Sequence, residues 1–392
     1  MVRKARSVLS KWRRRLAPPQ SVRDQVLDGL LGALHTRSPR LLWQAFGPLA
    51  KNLRWHLKVW RRKIRLCLNP PRGEVIDVPQ VMERPPVVPH QATVDIVICV
   101  HNALGDVQRC LESVLQYMRP VDRLLIVDDG SDTPTRDYLR RFAAEHQVEL
   151  LRNEVAQGYT IAANRGLHQT QADYVVLLNS DTIVTEGWLD RLIACAETDD
   201  RFGIIGPLSN TASWQSIPEI EEDGDWAENP LPVDVTVEDM GRWVARYSGR
   251  LYVPMPLLNG FCLCIRRSVL EDVGYFDEQN FGRGYGEEDD YVLRAREKGW
   301  QPVLADDAFV YHAQSRSYSN ERRRELGSRA GVVLARKHGA QIIEAGVQYC
   351  REDRVLEGIR ARSKAMFTRQ DLTKKGRERF AGRRILFLLP AL

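Results

Sequence analysis

From Val94 onward, short continuous apolar runs alternate with stretches whose apolar positions recur every three or four residues. Val94–Val100 is such a run, broken only at Asp95, and suits a strand buried on both faces. The spacing predicts a helix over 105–118, a strand over Arg123–Val127, a helix over 132–146 and a strand over 148–152. A helix over 159–170 and a strand over 173–178 continue the series. Units of this kind build an α/β fold around a right-handed, mostly parallel sheet flanked by helices. Ligands of such sheets sit beyond the carboxyl ends of the strands, so chemistry is expected at Cys99–Asn102, Asp128–Ser131 and Asn179–Asp181. Later, Leu257–Ile265 reads as a strand, Glu288–Lys298 as a helix, and Ala308–Tyr311 as a strand end leading to His312. The acidic, Pro-containing stretch 217–250 reads as an insertion or a mobile loop.

The flanks differ from this centre. Residues 1–68 read as a basic helical region, and 69–92 as a Pro-rich linker with Pro70-Pro71 and Pro85-Pro86. Residues 93–320 form the patterned domain, and 321–380 a basic helical extension. The end, Arg384 followed by Ile385-Leu386-Phe387-Leu388-Leu389, reads either as an edge strand or tail, or as the first strand of a further domain over 381–392. Residues 1–90 carry 19 Lys/Arg against 5 Asp/Glu, and residues 321–392 carry 18 against 8. The whole chain has 57 against 51, so the centre holds an excess of 18 acids. That sign argues against nucleic acid as the main ligand and suits a divalent cation that holds a phosphate ester. The basic N-terminal stretch, with Trp55 and Trp60 among Lys58, Arg61, Arg62 and Lys63, suits either packing on the domain or contact with an anionic membrane surface. The seven cysteines include no C-x-x-C pair, and no window approaches the roughly 20 apolar residues of a membrane span. A cytoplasmic protein, with peripheral contact at the inner face of the plasma membrane, is the expectation.

Several polar clusters interrupt the apolar runs. Asp181, in Asn179-Ser180-Asp181-Thr182, is placed to coordinate a metal-bound diphosphate, although the same residues also make a good turn and helix cap. Asp128 and Asp129 close a strand ahead of Gly130, where a carboxylate can accept from a pyrimidine N3–H or cap a helix. Gly158 near a helix start, with Asn164 and Arg165 beyond it, is placed to face a diphosphate. Glu287, Glu288, Asp289 and Asp290 follow a glycine-rich loop containing Gly284; mutual repulsion there tunes one carboxylate as a general base, or the acids serve only a helix start. His312 is a candidate metal or diphosphate ligand, or a structural residue.

The order of these pieces resembles the inverting glycosyltransferase family 2, with its GT-A fold, over about residues 93–320. The carriers are Val97-Ile98-Cys99-Val100-His101-Asn102, Ile126 through Asp132, Asn153 through Gly166, Leu178-Asn179-Ser180-Asp181, Asn259-Gly260-Phe261, Gly286 through Asp290, and Val310-Tyr311-His312. The match is nearest to the rhamnosyltransferase-like and O-antigen assembly branch. The resemblance implies a nucleotide pocket at Val100, His101, Asn102, Asp128, Asp129, Gly158, Asn164 and Ser180. It implies Mn²⁺ or Mg²⁺ on Asp181 and His312, Asn179 standing at the first position of the metal motif. The base would be Glu288, within the pair Glu287-Glu288, with Asp290 as the alternative. By position, the acceptor would lie over Asn259, Gly260 and Gly284, with Trp214 stacked on a sugar ring. The activity implied is metal-dependent, inverting transfer from a UDP- or dTDP-sugar to a glycan or lipid-linked glycan in cell-surface polysaccharide assembly.

Readings from other classes fit less well. A nicotinamide-dependent oxidoreductase would need a G-x-G-x-x-G turn after the first strand, where His101-Asn102-Ala103 stands. A nucleotidyltransferase would need a basic glycine loop early in the domain. A catalytically silent nucleotide-sugar-binding module of a larger synthase would bind the donor without turning it over.

Overall fold

A computed structural model describes residues 87–222, 225–232, 235–282, 284–313 and 320–364. The N-terminal basic region, most of the Pro-rich linker and the 381–392 segment lie outside the described residues, as does the extension beyond residue 364.

The first half follows the apolar pattern closely. Strands β1 (Val94–Val100), β2 (Arg123–Asp129), β3 (Glu149–Asn153) and β4 (Tyr174–Asn179) are joined by helices α1 (Leu104–Tyr117), α2 (Thr133–His146) and α3 (Tyr159–Leu167). β1 lies between β2 and β4, parallel to both, and β2 is parallel to β3. Successive side chains of β1 enter two different cores because the strand has helices on both faces. Val97 points toward Ala162, Ala163 and Leu167 of α3. Ile96 and Ile98 join Leu111 and Val114 of α1 and Leu139 of α2 on the other face.

The second half turns the sheet into a mixed one. β5 (Thr182–Val184), α4 (Trp188–Ala196) and β6 (Phe202–Leu208) follow, and two short strands, β7 (Glu221–Glu222) and β8 (Asp225–Trp226), form a separate hairpin. The stretch read as an insertion or mobile loop holds helix α5 (Val237–Tyr247), which buries Met240 and Val244. Thr236 and Asp239 close its first turn by reciprocal capping, and that local bonding makes a helix of a stretch with polar composition. After β9 (Val253–Pro254), strand β10 (Cys262–Arg266) begins later than the apolar pattern suggests, leaving residues 257–261 as an irregular loop at the sheet's edge. β10 inserts antiparallel between β4 and β6. Helices α6 (Arg267–Val273), α7 (Glu278–Phe281) and α8 (Glu287–Glu297) lead to β11 (Gln301–His312). β11 pairs in parallel with β6 and, past a register shift, antiparallel with β5. The sheet order is β3-β2-β1-β4-β10-β6-β11-β5, with β9 on β11. Helices α9 (Asn320–His338), α10 (Ala340–Glu352) and a further helix over 354–364 complete the described chain. Among the described residues, no helix is long and apolar enough to cross a membrane.

The register shift in β11 carries two buried carboxylates away from the site described below. Asp306 accepts from Ser248 Oγ at 2.6 Å and from the Leu251 and Tyr252 N–H groups at 2.7 and 3.1 Å. Asp307 Oδ2 lies 3.3 Å from Arg250 and 3.4 Å from Tyr252 Oη, and its Oδ1 is buried without a side-chain partner among the described residues. Burial, with the Asp306 charge beside it, pushes the Asp307 carboxyl up to about 6, against the pull of Arg191 and Arg250. A raised carboxyl stabilises the fold at pH below its unfolded value, and that contribution is lost as pH rises through the folded value. Relative to wild type, Asp307→Asn should therefore gain about 2 kcal/mol between pH 4 and pH 7, measured by urea unfolding at each pH. A difference that does not change with pH would contradict this.

Candidate active site

The edge where β1, β2 and β4 end gathers the polar residues. Asp128 is fully buried at the end of β2, with Oδ1 accepting from the Ser131 N–H at 2.9 Å and Oδ2 paired with Arg152. Gly130 has φ +67°, and a Cβ there would fall 2.4 Å from the Ala156 nitrogen, so only glycine lets the two loops touch. Across the gap, Asn102 donates its N–H to Ser131 Oγ at 3.0 Å, and its Oδ1 accepts the Asp132 N–H at 2.7 Å. His101 donates from Nδ1 to the Asp129 carbonyl at 2.8 Å, and its Nε2 accepts from Asn102 at 3.2 Å. Val100, paired in register with Asp128, sets this pair of loops at one level.

Two residues expected to face the donor are bonded inward instead. Asp129 accepts from Asn153 Nδ2 at 2.7 Å and from the Gln157 and Gly158 N–H groups at 2.9 and 2.8 Å. Its carboxylate therefore shapes the 153–158 loop and fixes Gly158. Asn164 is buried, bridging α3 to α7: it donates to the Phe276 carbonyl at 2.9 Å and Glu278 Oε1 at 2.8 Å, and accepts the Phe276 N–H at 3.0 Å.

At the β4 exit the situation is the reverse. Asp181 is only 5% exposed, and its Oδ2 has no hydrogen-bond partner among the described residues. Its Oδ1 faces His312 Nε2 at 3.3 Å. Antiparallel pairing of β5 with β11 places His312 opposite Thr182, next in sequence to Asp181. The imidazole donates from Nδ1 to the Thr211 carbonyl at 2.8 Å, so Nε2 is the nitrogen turned to the carboxylate. Asn210 clamps the His312 backbone, at 2.8 Å to its N–H and 3.0 Å to its carbonyl, and Phe261 stacks on the ring at 5.3 Å. Burial pulls the imidazole pKa down, but the Asp181 charge and hydrogen bond, with the Thr211 carbonyl, leave it raised. A buried carboxylate oxygen without a partner, beside a nitrogen of fixed tautomer, fits a hard divalent cation. Among the described residues no third acidic, histidine or cysteine side chain completes a cluster, so the remaining ligands would be water and donor oxygens. Ser180 lies half-buried next to this pair.

The irregular loop before β10 brings a second group of acids alongside. Asn259 is tied down by Gln215 Oε1 on its N–H at 2.6 Å and by its own amide donating to Ser213 Oγ at 3.0 Å. A Cβ on Gly260 would lie 3.1 Å from Glu288 Cβ and 3.2 Å from Cγ, so glycine lets the Glu288 side chain lie against the loop backbone. Glu288 accepts the Gly286 N–H at 3.1 Å. Burial raises its carboxyl pKa, outweighing the backbone N–H groups of Glu288, Gly286, Asp289 and Gly260. Glu287 is buried with Oε2 unpartnered among the described residues, and burial plus the Glu288 charge hold its carboxyl well above the usual range.

Asp290, the alternative base, is unavailable. It is fully buried, and Arg294, Lys337 and His338 occupy its two oxygens. Trp214 also departs from expectation: its ring lies in the core, 8% exposed, edge-on to Trp226 at 4.8 Å and with Arg351 over it at 5.6 Å. It has no face for a sugar. Gly284 instead leans on Tyr159, at 3.4 Å from a built Cβ to the Tyr159 Cβ. Tyr159 stands near Glu287 and Glu288, a neighbour that the sequence reading did not single out. Burial, with Cys99, Glu287 and Glu288 nearby, holds its phenol well above the ordinary range. Its position directly after Gly158, at a helix start, was the available signal.

If Asp181 and His312 form a cation site, Asp181→Ala abolishes Mn²⁺ binding measured by water-proton relaxation, and His312→Ala weakens it about tenfold or more. Mn²⁺ affinity unchanged in both variants would place the cation elsewhere.

Comparison with known proteins gives the following. Residues 95–274 match the family model described as Glycosyl transferase family 2. The chain is 29% identical over 295 residues to the pre-mycofactocin glycosyltransferase of Mycobacterium tuberculosis, covering 73% of this chain and 55% of that protein. It therefore spans about half the length of that relative. It is 27% identical over 275 residues to the N-acetylglucosaminyl-diphospho-decaprenol L-rhamnosyltransferase of the same species, covering 62% of this chain and 84% of that one. Among solved structures, a mannosyltransferase from Pyrobaculum calidifontis in complex with GDP-Man and Mn²⁺ aligns with TM-score 0.48 and 15% identity, covering 82% of this chain and 86% of that one.

Proposed function

Because the chain carries a glycosyl transferase family 2 domain over residues 95–274, we propose that it moves a hexose or deoxyhexose from a UDP- or dTDP-linked donor to a glycan hydroxyl, with inversion. The observation that carries this reading is the division of labour at one sheet edge. Asp181 offers a buried free oxygen beside His312, and Glu288, of raised pKa, lies against the Gly260 loop.

Asp181 and His312 would hold Mn²⁺ or Mg²⁺. When bound, that ion supplies Lewis-acid stabilisation of charge on the departing diphosphate. The nucleoside part would lie over His101 and Asn102, beside the Asp128–Arg152 pair. Glu288 takes the proton from the acceptor hydroxyl, whose oxygen bonds to the anomeric carbon as the carbon–diphosphate oxygen bond breaks on the opposite face. A carboxylate raised toward neutral pH is a better-matched base than an ordinary one. Asp290 does not compete for the role because its oxygens are already ion-paired. The rhamnosyltransferase relative, named for a diphospho-decaprenol-linked sugar, supports a lipid-linked glycan acceptor.

The test is nucleoside-diphosphate release from a panel of UDP-, dTDP- and GDP-sugars, with and without Mn²⁺ or Mg²⁺. Asp181→Ala should be inactive at every metal concentration. Glu288→Gln should lower kcat on the order of 10²–10⁴-fold while binding donor as wild type does. Near-normal turnover in either variant sinks the corresponding assignment, and donor binding without turnover in wild type favours the silent-module reading.

The excess of Lys/Arg in residues 1–90 and 321–392 supports peripheral contact with an anionic membrane that carries the acceptor. Vesicles containing anionic lipid should sediment the protein at low salt and release it at moderate salt; no sedimentation at low salt would remove membrane contact from the reading.

A further inference from the structure

Helix α9 packs on α7 and on both ends of α8, all of them beyond the family-matched residues 95–274. Its Ala330 and Leu334 pack with Phe281 in a small apolar cluster. A Cβ on Gly286, the residue whose N–H bonds to Glu288, would lie 2.9 Å from Ala330 Cβ. At its C-terminal end, Lys337 Nζ lies 2.6 Å from Asp290 Oδ1 and 2.7 Å from Asp277 Oδ2. His338 Nε2 lies 2.8 Å from the same Asp290 oxygen, and its Nδ1 lies 3.3 Å from Glu297 on the last turn of α8. The other Asp290 oxygen accepts from Arg294 Nε at 2.9 Å, and Arg294 also donates to the Val273 and Tyr275 carbonyls at 2.9 and 2.8 Å. Asp277 in turn accepts from the Asn280 N–H at 3.1 Å and from its side chain at 2.7 Å, which fixes α7 ahead of the glycine loop.

A fully buried carboxylate must be matched by charge and hydrogen bonds, and removing one partner is far more disruptive than at a surface pair. Asp290 is two residues from Glu288 on the same helical turn, so whatever holds Asp290 also holds the turn that presents Glu288. We propose that Lys337 and His338 are positioning residues: by gripping Asp290 from α9 they fix the first turn of α8, and with it the Glu288 carboxylate against Gly260. This rests on Glu288 being the base. It gives helix α9 a part in setting the reaction geometry.

The experiment compares Lys337→Met, Lys337→Arg, His338→Phe and Glu288→Gln with wild type, using the full chain and a UDP- or dTDP-sugar that wild type turns over. Displacement of a reacting group by about 1 Å costs on the order of 10²-fold. Lys337→Met and His338→Phe should therefore lower kcat by about 10- to 100-fold, with donor KM and calorimetric donor affinity as in wild type. Lys337→Arg, which keeps the charge, should recover most of the rate. Should Lys337→Met fail to fold, His338→Phe decides by the same readouts. Wild-type kcat in a folded variant overturns the proposal, as does a loss of rate matched by equal loss of donor affinity. If Glu288→Gln itself retains turnover, the base assignment falls and the proposal with it; if Glu288→Gln is inactive and Lys337→Met is not, only the positioning role falls.

Discussion

The site depends on one constraint: β1 is paired in parallel between β2 and β4 and buried on both faces. A strand with helices on either side has no place for unpaired polar groups along its length, so they collect where it ends. Parallel pairing makes all three strands end at the same edge. That is why Asn102, Asp128 and Asp181, far apart in sequence, share one rim. β11 reaches that rim by another route: past its register shift it runs antiparallel to β5, which delivers His312 to Asp181.

The acids at this rim divide by how well they are satisfied. Asp128, Asp129 and Asp290 have their oxygens occupied by protein groups and serve to shape loops and helices. Asp181 Oδ2 and Glu287 Oε2 are buried and unpartnered among the described residues. A buried carboxylate oxygen without a partner is costly, and such cost is tolerated where a ligand completes the bonding. Glu288 lies between the two groups, held by backbone N–H donors yet raised by burial, as suits a residue that must both stay in place and take a proton.

Much of this was legible in the sequence, and the failures have physical causes. Apolar runs marked β1 through β4 within a residue or two; the pattern is clearest in β1, β2 and β4, whose residues are mostly buried. Asp181, His312 and Glu288 could be placed from strand ends and a helix start. The errors arose where an identical residue type can be spent inward or outward. Asp129 and Asn164 have the composition of ligand-binding residues, and only long-range partners, the 153–158 loop and Phe276, show them to be scaffold. Trp214 is in the core because Trp226 and Arg351 cover it, contacts that no local pattern encodes. Helix α5 was readable in principle from Thr236 and Asp239, but polar composition masked it. Lys337 and His338 could not be connected with Asp290 from spacing alone.

The most direct measurement of the central claim is a crystal structure of the full chain with Mn²⁺ and UDP. The account predicts anomalous density for manganese bonded to Asp181 Oδ2 and His312 Nε2, with diphosphate oxygens and water completing the sphere and Glu288 still against Gly260. Manganese bound away from Asp181, with His312 Nε2 still paired to the carboxylate, would contradict it.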